Sequence, residues 1–269
     1  MKIEIKELRH VYPTGDEALK GISLCIEGAT PVAIVGQNGS GKTTLVKHFN
    51  RILSPSSGEV LINGKKTTEQ STAKWAGKVG YVFQNPDDQL FLSTVKDELE
   101  FGPRRLGRDP GRIEKLLPQV AELCGLEDRL AEHPFDLTAT DKKFCTIGSV
   151  MMMESDAIIF DEPTCGQDLN GTKRLGRIVD YLISQGKLCI TISHDMKFVA
   201  DKFKRAIVLC QGKVLLDGTS AEVFSQPDII KASFVSPPPL TRLGQGIGLP
   251  ETVFTVDELI GAMKGKITA

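Results

Sequence analysis

The sequence has no apolar stretch approaching the roughly 20 residues that a membrane-crossing helix needs. Its longest apolar runs, such as Ala157–Phe160, are strand-sized. Residues 1–10 alternate polar and apolar side chains and lack the apolar segment of a signal peptide. The expectation is a cytosolic chain that works at a membrane, if at all, through a partner. A basic excess is missing too: 33 Lys and Arg face 34 Asp and Glu, for a formal net charge of -1. Nucleic-acid binding draws most of its affinity from phosphate neutralisation, so this balance argues against a nucleic-acid partner. Cys25, Cys124, Cys145, Cys165, Cys189 and Cys210 are scattered, with no C-x-x-C spacing and no accompanying histidine cluster. Reduced, mostly buried thiols are expected rather than a metal site. Internal repeats and low-complexity tracts are absent from the sequence as well.

What is present reads as α/β. The 269 residues, 41% hydrophobic and 25% charged, suit one large domain with a small appendage. Strand patterns fall at Ile3–Leu8, Ile22–Ile26, Val32–Val35, Val60–Ile62 and Val79–Phe83. A helix is expected from about Thr94, where Thr94 and Asp97 form a capping box, and another over about Arg112–Leu123. From Asp141 onward helices alternate with strands at Ala157–Phe160, Leu188–Ile192 and Ala206–Cys210, which implies parallel pairing through right-handed crossovers. Gln211-Gly212 reads as a hairpin turn into Val214–Asp217. Pro237-Pro238-Pro239 reads as a stiff extended spacer, and Thr255-x-x-Glu258 opens a short helix with Leu259, Ile260 and Met263 as its apolar side.

Gly36-Gln37-Asn38-Gly39-Ser40-Gly41-Lys42-Thr43, with Thr44 next, matches G-x-x-x-x-G-K-[ST] in full, between an apolar strand and a helix. Glycines let successive N–H groups turn inward around phosphates, and the helix start adds a positive end. Lys42 would reach the β- and γ-phosphates of ATP, and the Thr43 hydroxyl would ligate Mg2+. A second motif, Ala157-Ile158-Ile159-Phe160-Asp161-Glu162, is a buried strand ending in two carboxylates. Asp161 would hold the Mg2+ ion, and Glu162 would orient or deprotonate the attacking water. Alone this second motif is unspecific. Joined to the phosphate loop it is strong, because both sit at C-terminal ends of parallel strands, where such folds bind ligands.

Asp161-Glu162-Pro163-Thr164, followed by Asp168, resembles the Walker B motif and D-loop of ABC ATPases. The resemblance covers nearly the whole chain. It implies a P-loop NTPase fold of the ABC ATPase kind over 1–224, with an antiparallel β subdomain and a helical subdomain at about 85–155. It implies that Gln84 is the Q-loop glutamine, which senses Mg2+ and the membrane partner. His194 would contact the γ-phosphate, and Tyr12 would stack on adenine. Val82-Phe83-Gln84-Asn85-Pro86-Asp87-Asp88-Gln89-Leu90, with Glu100-Phe101-Gly102-Pro103, is similar to energy-coupling-factor and cobalt-importer ATPases, which power uptake of vitamins and metal ions. In that group a C-terminal extension, here 225–269, helps two ATPases pair. The implied partners are a second ABC ATPase and integral membrane subunits, one of them substrate-binding, with this chain peripheral on the cytoplasmic face of the membrane.

One segment departs from the family. ABC ATPases hold each ATP between one subunit's phosphate loop and the LSGGQ signature of the other. The equivalent here is Leu137-Thr138-Ala139-Thr140-Asp141. Thr138 keeps a hydroxyl, but Ala139 and Thr140 add Cβ atoms where close backbone approach is required. Asp141 is expected to cap the helix with its own carboxylate. A carboxylate about 5 Å from a phosphate charge costs on the order of 3 kcal/mol per charge at an effective dielectric near 20, partly offset by Lys142 and Lys143. The expectation is an asymmetric heterodimer whose competent site combines Lys42, Thr43, Gln84, Asp161, Glu162 and His194 with another ATPase's LSGGQ. A homodimer in which Thr138 suffices, a non-catalytic regulatory ATP-binding subunit and a non-transport ABC ATPase stay open as alternatives.

Overall fold

In the computed structural model, which describes residues 1–268, the chain begins with β1 (Lys2–Val11), β2 (Glu17–Glu27), β3 (Val32–Val35) and α1 (Lys42–Lys47). It continues through β4 (Ser57–Ile62), β5 (Lys65–Lys66), α2 (Thr72–Ala76) and β6 (Val79–Val82). Three helices follow: α3 (Val95–Arg105), α4 (Pro110–Cys124) and α5 (Ala139–Met152). The remainder alternates as β7 (Ala157–Asp161), α6 (Leu169–Ser184), β8 (Leu188–Ile192), α7 (Met196–Lys202), β9 (Arg205–Cys210) and β10 (Lys213–Thr219). Four helices close it: α8 (Ser220–Phe224), α9 (Pro227–Lys231), α10 (Pro239–Gly246) and α11 (Val256–Thr268).

Every residue of β3, β6, β7 and β8 is buried. Continuous apolar strands of this kind belong in a parallel sheet covered on both faces. They lie in a six-stranded sheet of order β10-β9-β3-β8-β7-β6, parallel from β9 to β6. The period of two sorts each strand between two cores. In β7, Ile158 and Phe160 join the core beneath α3, α4, α5 and α6, whereas Ala157 and Ile159 join Ile3, Ile26, Val60 and Trp75 of the other layer. That other layer is an antiparallel sheet of order β2-β1-β4-β5. Gly80 in β6 shows how closely helix and sheet approach: a Cβ there would stand 2.4 Å from Val150 Cγ1 of α5. Both C-terminal strand ends that carry the sequence motifs, β3 and β7, therefore open on the same edge of one sheet, with β8 between them.

The hairpin at Gln211-Gly212 has positive φ at both residues, 47° and 80°, as a two-residue turn between twisted strands requires. At α3, Thr94 Oγ1 accepts the Asp97 N–H at 3.0 Å and donates to Asp97 Oδ2 at 2.7 Å, so the box closes between side chains. Three readings of the sequence need correction. Pro237 and Pro238 precede a helix that the proline run conceals: Pro239 is its first residue, where the missing N–H costs nothing. Of the three apolar residues read as one side of α11, Leu259 turns inward, with Leu249 and Val253 as neighbours, while Ile260 and Met263 are exposed. Cys124, Cys145 and Cys189 are buried, but Cys25 and Cys165 are exposed, so burial applies to half of the thiols. Ile230 and Val235 still belong to the main core, and the small separate cluster begins beyond them. Among the described residues no helix is long and apolar enough to cross a membrane.

Candidate functional site

The loop after β3 is shaped by its glycines and braced from behind. Gly36, Gly39 and Gly41 have φ of 147°, 77° and 100°. A Cβ on Gly36 would stand 2.2 Å from the Leu209 carbonyl, and one on Gly41 would stand 2.7 Å from the Ala18 carbonyl. The β9–β10 turn holds the loop through Gly212, whose N–H donates to the Ser40 carbonyl at 3.0 Å. The Lys42 ammonium is buried and donates to the Gly36 and Gln37 carbonyls at 2.8 and 2.9 Å. Burial pulls its pKa below the usual lysine range, against the opposing charges of Glu162 and Asp161.

Asp161, the last residue of β7, is 3% exposed. Its Oδ1 lies 3.4 Å from Thr43 Oγ1, and its Oδ2 accepts the Tyr81 hydroxyl at 2.6 Å. Glu162 follows with φ of 48°, a conformation that costs a non-glycine residue of order 1–3 kcal/mol and clusters at functional sites. The turn aims its carboxylate at the end of β8: Oε2 accepts the His194 N–H at 3.3 Å, and Oε1 lies 3.2 Å from His194 Nε2. His194 Nε2 also lies 3.0 Å from Asn38 Oδ1 in the phosphate loop. Facing two acceptors, this nitrogen carries the proton. Burial raises the Glu162 pKa above the ordinary carboxylate value, and His194 and Lys42 oppose that rise.

These groups border one cavity of about 380 Å³, whose lining includes Asn38, Lys42, Thr43, Gln84, Glu162 and His194. Gly39, Gly41 and Thr44 complete its wall on the loop side. Gly36, Gln37, Ser40 and Asp161 are not part of the lining, though Asp161 Oδ1 reaches Thr43 Oγ1 within it. Tyr12 is beside it, with its hydroxyl 2.8 Å from Thr44 Oγ1 and its ring edge-on to His10 at 4.7 Å. Asp168 is apart from the cavity, capping α6 through Gly171 N–H at 2.7 Å. The residues fit a magnesium nucleotide. The buried Ser40 Oγ has no partner in the loop, Lys42 is held only by carbonyls, and the Thr43–Asp161 pair is the hard-oxygen set that Mg2+ prefers.

The signature equivalent differs from its expectation in three ways. Thr138, not Asp141, caps α5: its Oγ1 accepts the Asp141 N–H at 3.1 Å and donates to Asp141 Oδ2 at 2.7 Å. The Thr138 hydroxyl is thus spent on its own helix. Asp141 is flanked by Arg129 at 3.6 Å and Arg174 at 3.8 Å, which offset its charge in place of the two lysines. Lys142 instead pairs with Asp87 at 3.2 Å and lies over the Phe135 ring. Lys143 is buried, with its ammonium donating to the carbonyls of Phe83 and Gln84. Burial pushes it down to about 8, the carboxylates of Asp161 and Glu162 opposing. Leu137 is buried in the main core, and Thr138 and Ala139 are exposed.

Sequence reasoning also passed over a histidine pair under the loop. His48 Nδ1 donates to the Thr44 carbonyl at 2.7 Å, which leaves Nε2 to accept from His10 Nδ1 at 3.2 Å. The signal was an i, i+4 relation to Thr44, too common to single out. Burial pulls His48 down to about 4. The unfolded chain protonates near the ordinary value of about 6.5. Stability carried by the neutral ring is therefore full above about 6.5 and falls as pH drops toward about 4, by about 3 kcal/mol. Denaturant midpoints measured between pH 7 and pH 4.5 are expected to drop less steeply in His48→Gln than in the unaltered chain.

Comparison with known proteins agrees with this geometry. The family profile described as "ABC transporter" matches residues 19–165. A putative ABC transporter ATP-binding protein of Pyrococcus furiosus is 38% identical over 258 residues, covering 96% of this chain and 98% of that protein. The energy-coupling factor transporter ATP-binding protein EcfA1 of Methanospirillum hungatei is 36% identical over 242 residues, covering 90% and 87%. A putative ABC transporter ATP-binding protein of Methanosarcina mazei is 37% identical over 262 residues, and this chain spans only 44% of its length. Among solved structures, CbiO1 of Clostridium perfringens, part of the ABC transporter complex CbiONQ, superimposes with a TM-score of 0.76 at 32% identity, covering 91% of this chain and 98% of that one. On the profile, the relatives and the shared architecture alike, the chain belongs to the ABC transporter family of ATP-binding proteins.

Proposed function

We propose that this chain binds Mg-ATP and hydrolyses it to drive import through separate membrane subunits, as a peripheral motor on the cytoplasmic face of the membrane. The observation that carries the reading is the convergence of Lys42, Thr43, Gln84, Glu162 and His194 on one cavity, with Asp161 in reach of Thr43. On binding, the Lys42 ammonium exchanges the Gly36 and Gln37 carbonyls for phosphate oxygens. Glu162, held by His194 and made more basic by burial, takes a proton from the attacking water. His194 Nε2–H, already within reach of the loop, donates to the terminal phosphate. Thr43, Asp161 and Gln84 would hold Mg2+, which screens phosphate charge when bound. Tyr12 would supply a face for adenine.

The name of the Methanospirillum hungatei relative supports the energy-coupling-factor kind of transporter; in our reading it is an importer whose cargo is a vitamin or metal ion, bound by a separate membrane subunit. In our reading residues 1–224 are the motor and 225–269 an extension that aids pairing. The signature geometry favours an asymmetric heterodimer. A Thr138 hydroxyl committed to Asp141 grips phosphate poorly, so the competent site takes its LSGGQ from a second ATPase. Assaying ATP turnover of the assembled complex with Lys42→Ala tests the basic reading: loss of turnover supports it, and unchanged turnover removes it.

Coupling to the membrane subunit would run through residues 84–92. Phe91 is 61% exposed and meets Phe101, itself exposed, edge-on at 5.0 Å. The Glu98 carboxylate fixes this turn by accepting the N–H groups of Phe91 and Leu92. Phe91→Ala is expected to weaken binding to the membrane subunits by about 2 kcal/mol, roughly 30-fold, with ATP binding unchanged. Co-purification and calorimetry on the same preparation check both halves.

A further inference from the structure

Tyr81 is absent from the sequence motifs, yet it touches the carboxylate at the centre of the site. In the parallel pairing of β6 with β7, Tyr81 lies opposite Ile159. Asp161 is two residues further along β7 and therefore on the same face, at the diagonal distance that a long aromatic side chain spans. The phenol is 6% exposed, and its hydroxyl donates to Asp161 Oδ2 at 2.6 Å. A phenol keeps its proton at neutral pH, and facing a carboxylate oxygen it can only donate. The two oxygens of Asp161 are thereby made unequal. Oδ2 is engaged by Tyr81, and Oδ1 faces Thr43 Oγ1.

We infer that Tyr81 is a positioning residue for the metal-nucleotide site, fixing the rotation of the Asp161 carboxylate so that Oδ1 is presented beside Thr43. The inference rests on the reading of Asp161 and Thr43 as the Mg2+ ligands. A hydrogen bond to a ligating carboxylate restricts its orientation before the ion arrives, and removal of such partners costs about 10–100-fold in metal affinity. Phenylalanine keeps the ring volume and deletes only the donor, leaving the buried Oδ2 free to turn.

The test is calorimetry of ATP binding to the full chain at graded Mg2+ and again in EDTA, for the unaltered protein, Tyr81→Phe and Asp161→Asn. Expected is an upward shift of about 10-fold in the Mg2+ concentration for half-maximal tightening in Tyr81→Phe, with binding in EDTA unchanged and Asp161→Asn insensitive to Mg2+. A buried tyrosine that merely satisfies its own hydroxyl would leave the Mg2+ midpoint where it was. If Asp161→Asn loses the Mg2+ response but Tyr81→Phe keeps the original midpoint, the role of Tyr81 is overturned and the site reading stands. If Asp161→Asn responds normally to Mg2+, the ligand reading itself fails, and the inference with it. Should Tyr81→Phe not fold, 4-fluorophenylalanine at position 81 keeps nearly the volume of the phenol and still lacks the donor to Asp161 Oδ2. A Mg2+ midpoint unmoved there overturns the inference equally.

Discussion

Glu162→Gln is expected to lower ATP turnover by about 10²–10⁴-fold, the usual contribution of a positioned general base, while leaving Mg-ATP binding intact. Glutamine preserves the volume of the side chain and one acceptor oxygen for the His194 N–H, so the strained turn at φ 48° need not relax. What it removes is the basic carboxylate that burial has made a better proton acceptor. The same shift sets a pH signature. Glu162 must be ionised to act, so turnover should fall as pH drops through a value above the ordinary carboxylate range, and that acid limb should vanish in the glutamine variant. Single-turnover assays across pH 5–8 in the assembled complex read both effects. Turnover of Glu162→Gln equal to the unaltered protein would mark the chain as a regulatory nucleotide binder.

The second large effect lies in the signature. Ala139→Gly, Thr140→Gly and Asp141→Gln, made together, restore two glycines and a neutral side chain at the start of α5. The change frees the Thr138 hydroxyl from its bond to the Asp141 carboxylate and removes two Cβ atoms from the exposed edge. It gives up the pairs of Arg129 and Arg174, 3.6 and 3.8 Å from a partly buried Asp141, and each glycine costs up to about 1 kcal/mol in a helix, so thermal stability is measured alongside. A regained set of phosphate donors is worth on the order of 100-fold in rate. The triple variant alone is therefore expected to turn over ATP roughly 100-fold faster than the unaltered chain alone. A steady-state phosphate-release assay decides it. Equal rates would mean that the restored segment is not what limits the isolated chain.

The parts of the site that the sequence announced are those whose chemistry dictates spacing. A phosphate loop must place glycines, lysine and threonine in one short run, and the strand to Asp161 and Glu162 had to be continuous and apolar to lie in a parallel sheet. β3 and β8 fall on their expected residues for that reason. The contacts that escaped notice cross the sheet or join distant segments. Tyr81 meets Asp161 only through the β6–β7 register, and Lys143 reaches the Phe83 and Gln84 carbonyls only because α5 packs against the end of β6. Asp141 looked like a cap because aspartate favours that role, but Thr138, three residues earlier, takes it. The Pro237–Pro239 run misled because proline suits both an extended spacer and the first turn of a helix.

The proposed heterodimer is a competent catalytic half completed by a foreign signature. Its most direct test is to purify this chain under mild detergent from its native membranes, identify what accompanies it by mass spectrometry, and measure ATP turnover of the chain alone and of the complex. Expected is a second ATPase carrying an intact LSGGQ beside integral membrane proteins, with turnover high in the complex and low for the chain alone. Brisk turnover by a verified homodimer of this chain, with no second ATPase recovered, would contradict it.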